Sequence, residues 1–183
     1  MKGSVVTHRH PDHRSGLVLD THELVRRAGE LKEFTRVADA PDGIGIAMIA
    51  VPPGSPIELD LAIEAVVEGV LVTGTADVRL KGQCARCLEE IESSTQVDLQ
   101  ELFVYPGKDI DDPDASRIED DLIDLEPLIR DAVVLDLPFT PLCRPDCAGL
   151  CQECGANLNH DPDHSHDDAI DPRWADLTKW NDE

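Results

Sequence analysis

The chain has 183 residues, of which 41% are hydrophobic but only 3% aromatic, and its formal net charge is −22. The core must therefore consist mainly of Val, Leu, Ile and Ala side chains, and no apolar run approaches the roughly 20 residues that a membrane helix needs. The first residues also lack the apolar stretch of a secretory signal. We therefore expect a cytoplasmic protein with one domain and tails.

The negative charge is unevenly distributed. Residues 1–36 carry seven Lys/Arg and five Asp/Glu, whereas the rest of the chain carries nine basic and 33 acidic residues. Such a surface repels phosphate and disfavours an electrostatic clamp for nucleic acid. Any RNA contact would have to use local basic positions such as Arg26, Arg27, Lys32 and Arg36. Cationic protein partners suit this charge better, although solubility alone explains it equally well.

The N-terminal part is predicted to be a tail followed by a short helix. Residues 1–16 are polar, and their three histidines at positions 8, 10 and 13 are more typical of a disordered tail than of a metal site. Asp20 can cap a helix and Glu23 completes a capping box, so a short helix ending near Gly29 is expected.

Four stretches of alternating apolar residues predict the strands of an antiparallel sheet. The first contains Ile44 and Met48 and stops before Pro52. The second and third meet at Gly69, where the parity of the alternation switches and indicates a turn or bulge. Their inward positions are Ile57, Leu59, Leu61, Ile63, Val70, Val72, Gly74, Ala76, Val78 and Leu80. The fourth runs roughly over residues 91–105, with Val97, Leu99 and Phe103 inward.

The C-terminal half combines an acidic loop, a helix and a second tail. Residues 107–121 are expected to form a solvated acidic loop, and Asp124 to cap a helix that tolerates Pro127 in its first turn and ends at Pro138. Residues 161–183 form an acidic, His-rich tail with a short helix starting at Asp171. The predicted fold is one α+β domain over residues 17–160, with an antiparallel sheet that could curl into a partial barrel, flanked by two or three helices.

All six cysteines lie in two clusters, Cys84-Ala-Arg-Cys87 and Cys143-Arg-Pro-Asp-Cys147-Ala-Gly-Leu-Cys151-Gln-Glu-Cys154. Two Cys-x-x-Cys loops facing each other can complete a tetrahedral zinc site. The favoured ligand set for a structural Zn²⁺ is Cys84, Cys87, Cys151 and Cys154. Three alternatives stay open: Cys143 and Cys147 replace the second pair, the C-terminal four bind metal alone, or six thiolates hold two bridged metals.

Other metal ligands and other kinds of site are less favoured. His160, His164 and His166 are candidate ligands, but thiolates are softer and zinc prefers them. A thioredoxin-like redox pair should open a helix, whereas residues 84–87 connect two long strands. Disulfides rarely persist in the reducing compartment expected here. The sequence contains no Gly-rich phosphate loop, no Gly-x-Ser-x-Gly elbow and no His-Glu-x-x-His pair, and a closed thiolate site catalyses nothing, so no enzyme is indicated.

Three motifs together resemble the YceD-like large ribosomal RNA accumulation proteins. They are Gly69-Val-Leu-Val-Thr-Gly74, Cys84-Ala-Arg-Cys-Leu-Glu89, and the run from Pro141 through the second cysteine cluster to Asn159. The resemblance spans roughly residues 17–180. It implies a bacterial cytoplasmic protein, not an enzyme, that supports synthesis, processing or stability of large-subunit ribosomal RNA. Members are often encoded beside a zinc-ribbon protein of the large ribosomal subunit, which favours a role in assembly.

The resemblance and the charge together indicate a partner class. A large-subunit precursor or its basic ribosomal proteins are the expected partners, with action by binding rather than by catalysis, and direct contact with RNA is left open. A thiol-redox or metal-storage protein that uses the Cys-x-x-Cys pairs is the alternative function. A transcription accessory protein with a zinc ribbon would need a basic face that the sequence does not provide.

Overall fold

The computed structural model describes residues 14–22, 29–108 and 115–166. Its elements in chain order are β1 (Val18–Asp20), β2 (Leu31–Asp39), β3 (Gly45–Ile46), β4 (Ile49–Ala50), β5 (Pro56–Ala65), β6 (Gly69–Gln83), β7 (Glu90–Val104), β8 (Leu122–Asp124) and α1 (Glu126–Asp136). Most of this structure is an antiparallel sheet, as the sequence predicts. The predicted tail at residues 1–13 lies outside the described residues.

Strand β6 is the centre of the main sheet. It pairs with β7 along all 15 residues of each strand. Its other edge pairs first with β5 and then, nearer its end, with β4. Strand β2 extends the sheet beyond β5, and β3 extends it beyond β4, while β1 and β8 form a separate two-stranded sheet. The β6–β7 hairpin therefore projects from the middle of the sheet with residues 84–89 at its tip.

The core forms on one face of this sheet, and the predicted alternation is confirmed. The inward positions of β5, β6 and β7 are buried, namely Ile57, Leu59, Leu61, Ile63, Val70, Val72, Ala76, Val78, Leu80, Val97, Leu99 and Phe103. The same cluster includes Ile129 and Val133 of α1. Apolar area removed from water stabilises the fold by roughly 25 cal/mol per Å². Because successive side chains of a strand point to opposite faces, the apolar alternation determines which face of the sheet is buried.

The stretch from Ile44 to Met48, predicted as one strand, is instead a tight hairpin of β3 and β4. Ala47 and Met48 form its turn. Gly45 has φ of +141°, and a Cβ added there would lie 2.4 Å from the Cα of Ala50 on the facing strand. The prediction of a single strand was wrong because apolar alternation is the same for one strand and for two short ones.

Strand β2 was not among the predicted elements. It pairs with β5 over nine residues, but Ala38 is its only buried side chain. Phe34, Arg36 and Ala38 alternate as its less exposed positions, but one of them is charged. Leu31 and Val37 are apolar and exposed, so the sequence shows no clear apolar period of two.

The described residues contain one helix, α1, where two or three were predicted. Leu125 occupies its N-cap position, and the carboxylate of Asp124 accepts a hydrogen bond from the amide of Glu126 at 2.9 Å. Pro127 lies in the first turn and Pro138 follows the last turn, both as expected. The other two predicted helices fall largely on residues 23–28 and 171–183, which lie outside the described residues.

The sheet does not close into a barrel. Within the described ranges, the edge strands β2 and β7 do not pair with each other.

Part of the predicted acidic loop is more ordered than a solvated connection. Ile118 is buried, and Arg117 forms an isolated parallel β-bridge with Val104.

In the part of the chain that the structure describes, no helix is both long and apolar enough to cross a membrane.

Candidate metal centres

The first Cys-x-x-Cys pair, Cys84 and Cys87, lies at the tip of the β6–β7 hairpin, as the sequence predicts. The amide of Cys84 donates to the carbonyl of Glu89 at 2.8 Å, and the amide of Leu88 donates to the carbonyl of Cys84 at 2.9 Å. These two bonds close a tight loop in which Leu88 has φ of +60°. Both cysteines are buried at the base of this loop.

The segment after α1 is held against the hairpin tip by hydrogen bonds. The amide of Ala85 donates to the carbonyl of Pro141 at 2.8 Å, and the guanidinium of Arg86 donates to the carbonyl of Cys147 at 2.9 Å. A Cβ added at Gly149 would lie 3.3 Å from the carbonyl oxygen of Arg86. The chain that follows Pro141 therefore passes directly beside the first cysteine pair.

Four sulfur atoms meet where these two segments touch. The Sγ of Cys84 lies 3.7 Å from that of Cys147, and the Sγ of Cys87 lies 3.5 Å from that of Cys143. All four sulfurs lie within 4.8 Å of one another. Four sulfurs at about 2.3 Å from a central Zn²⁺ in a tetrahedron are about 3.8 Å apart. This group, which we call the four-thiolate cluster, therefore has the dimensions of a tetrahedral metal site.

The four thiols of this cluster differ in acidity. Burial opposes ionisation of Cys84, but backbone amides of its own loop and of the facing segment outweigh burial and lower its pKa to about 6. The side chain of Asn159 lowers the pKa of Cys147. At Cys87 the backbone amide of Glu89 favours the thiolate, yet burial and the neighbouring sulfurs raise its pKa to about 12. Each ionised sulfur opposes ionisation of the next, and a central cation removes that repulsion.

Cys151 and Cys154 form a second loop of the same construction. The amide of Cys151 donates to the carbonyl of Ala156 at 2.8 Å, and the amide of Gly155 donates to the carbonyl of Cys151 at 2.9 Å. Gly155 has φ of +75°, like the corresponding residue of the first loop. The backbone amide of Cys154 lowers the pKa of Cys151 to about 6.

This second loop faces two histidines. The Sγ of Cys151 lies 3.2 Å from the Nε2 of His166, and the Sγ of Cys154 lies 3.2 Å from the Nε2 of His164. Each of the four residues offers one ligand atom, and these atoms all lie within 4.8 Å of one another. We call this group the Cys2His2 cluster.

The structure divides the favoured ligand set between the two clusters. Cys84 and Cys87 lie with the alternative pair, Cys143 and Cys147, because the Ala85–Pro141 hydrogen bond brings that part of the chain to the hairpin tip. Cys151 and Cys154 lie with two of the histidines considered as ligands, whereas the third, His160, has its Nε2 3.0 Å from the carboxylate of Glu89. Each cluster could hold a metal ion, and the two share no sulfur.

The match with known proteins covers most of the chain and includes both clusters. The family model described as large ribosomal RNA subunit accumulation protein YceD matches residues 72–180. The chain belongs to the YceD family.

Relatives in the YceD family come from bacteria and from chloroplasts. A protein of Mycobacterium tuberculosis is 46% identical over 169 residues, which are 90% of this chain and 81% of that protein. A protein of Bacillus subtilis is 27% identical over 125 residues, 60% of this chain and 73% of that protein. A Zea mays protein named large ribosomal RNA subunit accumulation protein YCED homolog 1, chloroplastic, is 49% identical over 37 residues, 20% of this chain and 13% of that protein. No solved structure matches the chain.

Two asparagines of this YceD-family chain brace the four-thiolate cluster, and sequence reasoning assigned them no role. The Nδ2 of Asn159 donates to the Sγ of Cys147 at 3.3 Å, and its Oδ1 accepts from the amide of Ala148 at 2.8 Å. The Nδ2 of Asn157 donates to the carboxylate of Glu89 at 3.0 Å. The signal that could have indicated them is the Asn-Leu-Asn sequence after the second loop, since an asparagine often starts a turn by accepting a hydrogen bond two residues on, as the Oδ1 of Asn157 does from the amide of Asn159.

The left-handed residue of the first loop gives a test of the loop geometry. Replacing Leu88 with glycine is expected to leave stability unchanged or raise it by up to about 1 kcal/mol, because glycine adopts positive φ without the Cβ penalty but loses more entropy on folding. Leu88 is 54% exposed, so little apolar burial is lost. Replacing it with valine should instead destabilise the YceD-family fold, and denaturant unfolding of both variants compares the two. Equal stability of the glycine and valine variants would contradict the assigned conformation.

Proposed function

We propose that this protein supports the accumulation of large-subunit ribosomal RNA in the bacterial cytoplasm, as a non-enzymatic factor that acts by binding. The observation that carries this proposal is the YceD family match over residues 72–180, which contains both cysteine clusters. The plant relative that shares 37 residues at 49% identity bears the name of a large ribosomal RNA subunit accumulation protein. The four-thiolate donor set of the first metal centre and the negative charge of the outer sheet face support action by binding rather than by catalysis.

A structural Zn²⁺ suits the four-thiolate cluster. Four cysteine sulfurs at tetrahedral spacing are a donor set that favours zinc, and such a site leaves no open position for water or substrate. Zinc there would join the hairpin tip, through Cys84 and Cys87, to the segment carrying Cys143 and Cys147. The ion would therefore fix the shape of a surface rather than supply chemistry.

The outer face of the sheet supports a basic partner. Six carboxylates lie on this face in neighbouring register positions, namely Glu33, Glu58, Asp60, Glu64, Asp77 and Asp98. Glu58 lies directly opposite Asp77, and like charges at opposed positions destabilise a sheet. We call this surface the acidic sheet face. It repels the phosphates of RNA and attracts Lys/Arg-rich segments such as those of ribosomal proteins.

The proposal is tested by depleting the protein and by following it in cell extracts. Depletion should lower mature large-subunit ribosomal RNA or raise its precursors relative to small-subunit RNA. On sucrose gradients the protein should sediment with large-subunit precursors. Its absence from every such fraction, together with unchanged ribosomal RNA after depletion, would overturn the proposal. Metal and free-thiol counts on the purified protein separate it from a thiol-redox or metal-storage function, which requires oxidisable or exchangeable cysteines.

Charge reversal tests the acidic sheet face separately. A variant with Asp60→Lys and Asp77→Lys should dissociate from the precursor fractions at lower salt than the wild type. The control carries Asp42→Lys and Asp131→Lys, which change the net charge equally at exposed positions outside the main sheet. If both variants co-sediment alike, the acidic sheet face is not the docking surface, whereas the family-level proposal stands.

Asn159 offers a milder test of the four-thiolate cluster. Replacing Asn159 with alanine removes the amide that donates to Cys147 and is expected to weaken zinc binding by about 10- to 100-fold, the usual effect of losing a partner that orients a ligand. Competition with a chromogenic chelator measures the change. The control is Gln152→Ala, an exposed position in the second loop. An affinity loss of the same size in the control would remove the role assigned to Asn159.

A further inference from the structure

We propose that Cys151, Cys154, His164 and His166 form a second zinc site, separate from the four-thiolate cluster, which ties the segment after the second loop back onto it. From the sequence, His164 and His166 are less favoured ligands than the thiolates, and they follow Cys154 at a spacing unlike that of common zinc fingers. The structure brings the four side chains together regardless of that spacing.

The distances fit one tetrahedral ion. For Zn–S of about 2.3 Å and Zn–N of about 2.0–2.1 Å, a tetrahedron has S–N edges of about 3.5 Å and an N–N edge of about 3.3 Å. Two of the four S–N distances are 3.2 Å, and the Nε2 atoms of His164 and His166 are 2.9 Å apart. All other distances between ligand atoms are within 4.8 Å. Each histidine thus presents the same ring nitrogen to the cluster.

The opposite ring nitrogens face carboxylates. The Nδ1 of His164 lies 3.5 Å from the carboxylate of Asp161, and the Nδ1 of His166 lies 3.4 Å from that of Glu153. A carboxylate beside Nδ1 favours the tautomer that keeps its proton there, as in the carboxylate–histidine–zinc arrangement. Both Nε2 atoms, 2.9 Å apart, are then left with lone pairs that a metal ion beside them can accept.

The donor set selects the metal class. Two thiolates and two imidazoles at tetrahedral spacing suit Zn²⁺, whereas Mg²⁺ and Ca²⁺ require oxygen ligands in larger numbers. The two sites should bind metal independently because they share no ligand.

The two sites differ in exposure. Three of the four ligands of the four-thiolate cluster are buried, whereas Cys154 and His166 are exposed and Cys151 and His164 are half-buried. A chelator should therefore reach the Cys2His2 ion first. Losing that ion frees residues 161–166 from the second loop but leaves the hairpin-tip site closed.

The decisive measurement is the number of zinc ions per chain in the full-length protein. Wild type should contain two. The His164→Asn, His166→Asn double variant should contain one, with an unchanged circular dichroism spectrum. The matched control is His160→Asn, whose side chain faces Glu89 rather than a cluster and which should retain two. One ion in the wild type, or two in the double variant, would overturn the second site.

A spectroscopic measurement on the wild type keeps the test independent of whether the variant folds. Cadmium NMR distinguishes a four-sulfur site from a two-sulfur, two-nitrogen site, and two separate resonances are expected. During chelator titration the resonance of the mixed site should disappear first. A single four-sulfur resonance would reject the Cys2His2 site, and simultaneous loss of both resonances would reject the difference in exposure.

Discussion

Replacing both Cys84 and Cys87 with serine is expected to release residues 141–160 from the hairpin tip while β5, β6 and β7 stay folded. Among the residues that the structure describes, the small apolar cluster around these cysteines adds three side chains, Ile91, Leu142 and Leu150, all partly buried. Each residue held in one conformation costs roughly 1–2 kcal/mol of backbone entropy, so this little apolar burial cannot order the segment. The apparent binding free energy of structural zinc, about 10–16 kcal/mol in small peptides, is large enough to order the segment.

Hydrogen exchange measured residue by residue checks this prediction. The amide of Ala85, which donates to Pro141 of the segment, and that of Cys147, which donates to Arg144 within it, should lose protection, whereas amides in the middle of β6 should keep it. Chelation of the wild-type protein should give the same pattern without any substitution. The matched control, Cys151→Ser with Cys154→Ser, removes two thiols from the Cys2His2 cluster and should leave the Ala85 amide protected. Equal deprotection in both variants would show that the four-thiolate cluster is not the clamp.

The strands that the sequence predicts correctly are those with one buried and one solvated face. In β5, Ile57, Leu59 and Leu61 are buried while Glu58 and Asp60 are exposed. The alternation of apolar and charged residues in the sequence therefore shows which face of the strand is buried. In the edge strand β2 the less exposed positions include the charged Arg36, and the exposed ones include the apolar Leu31 and Val37, so its sequence shows no apolar alternation. Hydrophobic patterning thus indicates a strand only where the buried positions are apolar and the exposed positions polar.

The grouping of the cysteines could not be predicted for a different reason. The two Cys-x-x-Cys loops, at Cys84 and at Cys151, close with the same local hydrogen bonds. The local geometry of a loop therefore positions its two cysteines as metal ligands, but it does not determine which other two ligands complete the site. The choice depends on a contact between distant residues, the Ala85–Pro141 hydrogen bond, which places Cys143 rather than Cys151 beside the hairpin tip. Sequence spacing carries no record of that contact.

A second large effect is expected at Gly74, in the middle of the central strand. Replacing Gly74 with alanine should destabilise the protein by roughly 3–5 kcal/mol, because steric overpacking and a strained backbone add. The residue has φ of +148°, and a Cβ there would lie 2.1 Å from the carbonyl oxygen of Asp60 and 2.8 Å from the Cα of Leu61. Strand β5 would have to move away from β6, and both strands supply core side chains. Urea unfolding of the purified variant measures the loss.

Two further alanine variants separate the two causes at Gly74. Gly69 has no positive φ, but a Cβ there would lie 2.0 Å from the carbonyl oxygen of Phe103, so Gly69→Ala isolates the steric cost. Gly54 has φ of +73°, and apart from its own chain neighbours no described residue has an atom within 4 Å of an added Cβ, so Gly54→Ala isolates the backbone cost of about 1 kcal/mol. If Gly74→Ala loses no more than Gly54→Ala, close strand packing does not require glycine at position 74. A loss near the sum of the two controls would instead show that the steric and backbone costs add at Gly74, where β5 approaches β6 closely.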